Sequence, residues 1–148
     1  MNWRMPAVWT MAAAVLAGCI SIGGKSRAPF DPASCATREF DVYFEGQSTA
    51  LSAETREAIV AMGDMVEGCA VENVRIVGSA DAAGSESVNE EVSEQRALLL
   101  ADFLARRLGW PRARMDLLAT GERGATTDEG LDVPMRSRAH VTVTTVAP

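Results

Sequence analysis

The sequence predicts an α/β two-layer sandwich, ordered β-α-β-α-β-(loop or short α)-β, with a four-stranded mixed sheet and helices packed on one face. Three observations point there. Apolar residues alternate with polar ones over Phe40–Phe44, Val71–Val77 and Arg138–Val146, the period of a half-buried strand. Two intervening stretches carry apolar residues at helical spacing. A chain of 148 residues, 47% of them hydrophobic, is enough for one ordinary core.

The elements follow in order. Phe40, Val42 and Phe44 face inward from a first strand. Ser52 has the character of an N-cap, with Glu54 in the first turn, where the helix dipole favours a negative charge. Leu51, Ile59, Met62 and Val66 keep helical spacing, and Gly68 is the expected stop. Val74 and Ile76 lie in a second strand that ends at Gly78. Ser87 with Glu90 fits a capping box for the second helix. Its apolar face is expected to hold Val88, Val92, Leu99, Leu100, Phe103 and Leu104, with Gly109 and Pro111 ending it. Met115 to Ala119 reads as a third strand. Gly121 to Asp132 reads as a loop with a short helix near its end. In the last strand Ala139, Val141 and Val143 point one way, His140, Thr142 and Thr144 the other.

The front of the chain belongs to no fold. Arg4 precedes an uncharged apolar run from Met5 to Ala17, too short to span a bilayer and suited to a signal peptide. It closes on Leu16-Ala17-Gly18-Cys19, which resembles a bacterial lipobox. That resemblance implies cleavage before Cys19 and lipidation of its thiol and new amino group. Ile20 in place of Asp points to the outer membrane, by the habit of such proteins. The domains expected are therefore a signal peptide at 1–18, a lipidated Cys19 with its tether at 19–37, and a folded unit at 38–148. An exported chain meets an oxidising compartment. Cys35 lies just before the first strand and Cys69 just past the first helix, which runs back towards that strand's start. A disulfide between them is expected, against two buried thiols. It would close a loop of about 34 residues, worth on the order of 3 kcal/mol.

Net charge is -6 and aromatics make up 5% of the chain, which argues against nucleic-acid binding. The lone histidine, His140, is expected on the polar side of a strand and has no nucleophile beside it. Gly78-Ser79-Ala80 is not a nucleophile elbow. No Cys/His cluster has zinc spacing, and Gly121, Gly124 and Gly130 are too scattered to cradle phosphate. Asp128, Glu129 and Asp132 read as a solvated acidic loop. Neither cofactor nor catalysis is expected.

One constellation carries chemistry. Asp81 stands among small residues in the stretch VGSADAAGS, where the second strand stops. On a helical wheel Arg96 falls inside the apolar stripe, where an unpaired charge is costly. Asn89 lies nearly two turns earlier on the same side. Asp81, Asn89 and Arg96 can therefore converge at the strand's end. Two readings stay open on geometry alone. One is a pocket with a carboxylate for an ammonium and a guanidinium for a carboxylate. The other is an internal salt bridge.

The same residues resemble the OmpA-like domain, of the kind found in peptidoglycan-associated lipoproteins. Gly78-Ser79-Ala80-Asp81 stands where the family usually has Gly-His-Thr-Asp, and Gly84 matches a glycine three residues later. Asn89-Glu90-Glu91-Val92-Ser93-Glu94-Gln95-Arg96-Ala97 matches Asn-x-x-Leu-Ser-x-x-Arg-Ala. Arg136-Ser137-Arg138-Ala139 stands where Asn-Arg-Arg is usual. The match runs from about residue 38 to 146. It implies non-covalent binding of peptidoglycan through the diaminopimelate of the stem peptide, with Asp81 and Arg96 taking its amino-acid end. Asn89, Gly78, Ser79 and Ala80 would line the site, with Arg138 in support. Peptidoglycan and, through the lipid, the periplasmic side of the outer membrane are the partners implied. Ser79 and Ala80 replace the family histidine and threonine. That change suits an alternative in which the domain serves as an envelope protein–protein interaction module.

Overall fold

The computed structural model describes residues 30–82, 84–123 and 137–148. The expected signal peptide, Cys19, Arg136 and the expected short helix with the acidic residues Asp128, Glu129 and Asp132 lie outside these. The elements are β1 (Arg38–Tyr43), α1 (Ala53–Asp64), β2 (Ala70–Gly78), α2 (Glu86–Leu108), β3 (Met115–Ala119) and β4 (Arg138–Val146). The sheet has four strands in the order β1-β4-β2-β3. β4 runs antiparallel to both β1 and β2, and β2 runs parallel to β3. Strands β1, β2 and β3 therefore all point the same way, and their C-terminal ends share one edge with the start of β4.

Strand periodicity explains the layers. Val42, Val74, Ile76, Val141 and Val143 point to one face and meet Ile59, Leu100 and Leu104 from the helices, all at 2% exposure or less. The residues between them, such as Glu39, Arg75 and His140, lie on the opposite face, which is helix-free among the described residues. Gly78 sits where β2 and α2 touch. A Cβ there would come within 2.0 Å of the Ser93 carbonyl oxygen, so only glycine permits the approach.

Several local expectations change. The α2 cap is Ser85, whose Oγ accepts from the Val88 N–H, while Ser87 Oγ only hydrogen bonds to Ser85 Oγ at 3.1 Å. The capping box fails because the helix starts two residues earlier than its signature. Nor do Val88 and Val92 face the core: Val88 is 45% exposed and Val92 half-buried. The buried stripe of the first turns is instead Asn89, Ser93, Arg96 and Ala97. α1 ends at Asp64 rather than at Gly68, which closes the turns beyond it in a left-handed conformation. Within the expected tether, Pro32–Ser34 form a single 3-10 turn capped by Asp31. Cys35 and Cys69 are joined by a disulfide with Cα atoms 5.6 Å apart.

Candidate functional site

Three connections meet at the C-terminal ends of the parallel strands, the edge at which open α/β sheets usually bind ligands. From β1 comes Gly46-Gln47-Ser48, from β2 Ser79-Ala80-Asp81, from β3 Thr120-Gly121-Glu122. Ser137 enters β4 beside them. Main-chain hydrogen bonds stitch the edge together: Ser79 N–H donates to Arg138 O and Ala80 N–H to Gly121 O, each at 2.8 Å.

Arg96 is the centre of this assembly and has no exposed surface. Its Nε donates to Ser48 O at 3.1 Å and its Nη1 to Ser79 O at 2.7 Å; its Nη2 donates to Gly46 O. The guanidinium also lies over the Phe44 ring, 4.9 Å from the centroid, a cation–π arrangement. Burial lowers its pKa, and the nearby Asp81 carboxylate opposes that shift. Asp81 itself is half-buried. Its Oδ1 accepts from Gln47 Nε2 at 3.2 Å and its Oδ2 from Ser137 Oγ at 2.8 Å. Ser137 Oγ also reaches Gly46 O at 3.2 Å, so one carbonyl links the arginine to the aspartate's partner.

Asp81 and Arg96 thus converge on one network, but not as a pair presented side by side to solvent. Among the described residues the hydrogen bonds of Arg96 go to main-chain carbonyls, and its charge is felt by Asp81 through space. A buried cation must be hydrogen bonded, and three loop carbonyls do it here. Asn89 is likewise enclosed, at 0% exposure. Its Nδ2 donates to Glu122 Oε2 at 2.5 Å and its Oδ1 accepts from Gln47 Nε2 at 3.3 Å. Ser79 Oγ hydrogen bonds to Thr120 Oγ1 at 3.0 Å, and Ala80 is 1% exposed. Arg138 points away, onto the helix-free face, where its Nη1 meets Asp41 Oδ2 at 3.2 Å. His140 Nδ1 lies 2.9 Å from the other Asp41 oxygen. Among the described residues no His, Cys, Asp and Glu cluster could hold a metal ion.

Gln47, Ser137 and Glu122 were not singled out as site residues from the sequence. They come from three different loops, and no periodicity marks a loop residue. The nearest signal is their position: each lies within four residues of a strand end at the edge where Asp81 stands.

The profile of the OmpA family matches residues 43–138. Among solved structures, the OmpA-like domain of FopA1 from Francisella tularensis is similar at 22% identity and a TM-score of 0.59, with 74% of each chain covered. The peptidoglycan-associated lipoprotein from Burkholderia pseudomallei gives 17% identity and a TM-score of 0.55 over 79% of this chain and 97% of that one. The cell wall anchor of the type VI secretion system from Pseudomonas aeruginosa gives 18% and 0.57, over 74% and 82%. Comparison with curated proteins yields no match. With well over half its length matched by that profile, and a sheet and helix arrangement shared with these structures, the chain belongs to the OmpA family.

Proposed function

We propose that this protein holds peptidoglycan without reacting with it, through the amino-acid end of diaminopimelate in the stem peptide. The carrying observation is the half-buried Asp81 carboxylate, fixed at the carboxyl edge of the sheet by Gln47 and Ser137. A ligand ammonium can replace the neutral Gln47 amide as donor to Oδ1, turning a neutral hydrogen bond into a charge-assisted one. Arg96 supplies positive charge beneath the site and holds the Gly46, Ser48 and Ser79 carbonyls. A ligand carboxylate reaches its guanidinium only once the Gly46–Ser48 connection shifts. Two solved structures to which the chain is similar are a peptidoglycan-associated lipoprotein and a cell wall anchor, which supports the reading. Lipidation at Cys19 would fix the other end in the outer membrane on its periplasmic side. The product is mechanical coupling.

Sedimentation with purified cell wall tests the site. Asp81→Asn keeps the size of the side chain and one acceptor oxygen but removes the charge. Retention should fall about tenfold, the loss of one charge-assisted contact. Equal retention of wild type and Asp81→Asn would remove the site from this function. Loss of palmitate labelling in Cys19→Ser checks the anchor separately. The second reading, an envelope interaction module, rests on Ser79 being turned to Thr120 and Ala80 being buried. Two positions beside Asp81 then offer no side-chain donor to a ligand. It predicts equal wall retention and a stoichiometric protein partner.

A further inference from the structure

The β1 edge of the sheet is unpaired and has a groove beside it. The Phe44 N–H donates to Ser137 O at 2.8 Å, which fixes the phase of the antiparallel ladder. By its two-residue alternation, the main chains of Arg38, Phe40 and Val42 face β4. Those of Glu39, Asp41 and Tyr43 face outward, where among the described residues no strand pairs with them. Alongside runs a cavity of about 390 Å³ between β1 and α1, floored by Phe40, Ile59, Ala58 and Met62. A second, of about 380 Å³, continues it past Tyr43 and Thr55 towards the α1 N-cap. Outward main-chain groups beside an apolar groove are the two components of recognition by strand addition.

We propose that this edge takes an extended, basic protein segment as a fifth strand. Its main chain pairs with Glu39, Asp41 and Tyr43, and alternate apolar side chains enter the groove. The charge of the rim selects the occupant. Glu39, Glu45 and Glu54 are all exposed around the edge, and Asp41 is already matched by Arg138. Lysine or arginine at the remaining alternate positions of the incoming strand shares the face of Glu39, while Glu54 marks the rim of the groove itself. A second copy of this chain fits badly, because pairing β1 with β1 brings two acidic rims together across one ladder. The β1 edge and the first cavity are separate from the Asp81 network, and the proposal does not rest on the peptidoglycan reading.

The test is fluorescence anisotropy with a labelled peptide of about seven residues, the length of an ordinary strand, in which valine alternates with lysine and threonine. Saturable binding by the wild type is expected. A peptide of identical charge interrupted by proline should bind about tenfold more weakly, since it cannot complete the ladder. Glu39→Pro removes an outward N–H and leaves the bonds to β4 intact; it should weaken binding by about the same factor. Ala58→Leu fills the groove from the helix side and should also weaken binding, which keeps the test decisive if Glu39→Pro disturbs β1. Circular dichroism confirms the fold of each variant. No saturable binding, or equal binding of the intact and interrupted peptides, overturns the proposal and leaves the acidic rim as a guard of the edge. A concentration-dependent doubling of mass in light scattering also overturns it, in favour of a second copy.

Discussion

At the scale of single residues, Arg96 shows how burial decides what a charge does. A guanidinium has five donors in a planar fork, and here three hydrogen bonds go to carbonyls from two loops, with Phe44 beneath. Desolvation lowers the pKa, yet a guanidinium starts so far above neutrality that it stays charged. The charge is therefore permanent, and its worth is the geometry it imposes on Gly46, Ser48 and Ser79. Arg96→Lys keeps the charge but not the fork, and a lysine ammonium cannot serve three separated carbonyls in one plane. Stability measured by urea unfolding should fall by on the order of 3 kcal/mol, the cost of buried groups left without partners. A change within a few tenths would mean that the carbonyls find other donors. The charge of Asp81 is different in kind: it is half-buried and accepts from the neutral donors Gln47 and Ser137, so its removal should alter binding more than stability.

At the scale of elements, the ends of the helices discriminate between competing sequence signals. Ser85 and Ser87 both lie at the start of the second helix, and capping-box spacing favours Ser87. Ser85 Oγ accepts the Val88 N–H in the structure, so Ser85→Ala should cost about 1 kcal/mol and Ser87→Ala only a few tenths, read as shifts in the urea midpoint. Equal effects would place the cap at neither. The first helix has its own acidic test. Glu54 has its pKa lowered by its own backbone N–H and by Ser52. A carboxylate with a lowered folded pKa contributes stability that is complete above the unfolded value, 4.5, and is lost as pH falls through the folded one. The melting temperature of wild type should therefore exceed that of Glu54→Gln at neutral pH, and the two should converge in acid. The strands were the most legible elements, because Phe40–Phe44 and Arg138–Val146 alternate without interruption and only one face can be buried. The second helix was legible in existence and in its C-terminal half, where Leu100 and Leu104 face the core. Its first turns were not, because the residues buried there are polar: Asn89, Ser93 and Arg96 are satisfied by partners such as Gln47, Glu122 and the loop carbonyls. Helical spacing placed Asp81, Asn89 and Arg96 together, but the loops that close over them have no period to read. The burial of Arg96 depends on those loops.

At the scale of the whole molecule, the parallel course of β1, β2 and β3 sets two poles. Asp81, Gln47 and Ser137 lie at the carboxyl ends of the strands. Cys35 and Cys69, just before β1 and β2, lie at the other end. β2 has nine residues, so at about 3.3 Å per residue the poles are roughly 30 Å apart. The chain enters from its N-terminal segment at the disulfide pole, and any pull on that segment reaches the sheet there first. The bond ties the residues leading into β1 to those leading into β2, across a sequence separation of 34. It therefore restricts a loop of that length in the unfolded chain, a stabilisation of about 4 kcal/mol in the chain-entropy account. Since β4 lies between β1 and β2, the bond also spans the sheet where tension would otherwise peel β1 away. Cys35→Ser with Cys69→Ser should lower the unfolding free energy, extrapolated from urea titration, by an amount near that figure. Retention on cell wall at rest should be unchanged, because the binding pole is a sheet length away and is held by its own hydrogen bonds. The difference should appear under load: in single-molecule pulling from the N-terminal segment against a wall-bound domain, the variant should unfold at lower force and from β1 first. Equal unfolding forces would show that the β1–β4 ladder alone carries the tension, and that the crosslink serves only the equilibrium stability of the domain.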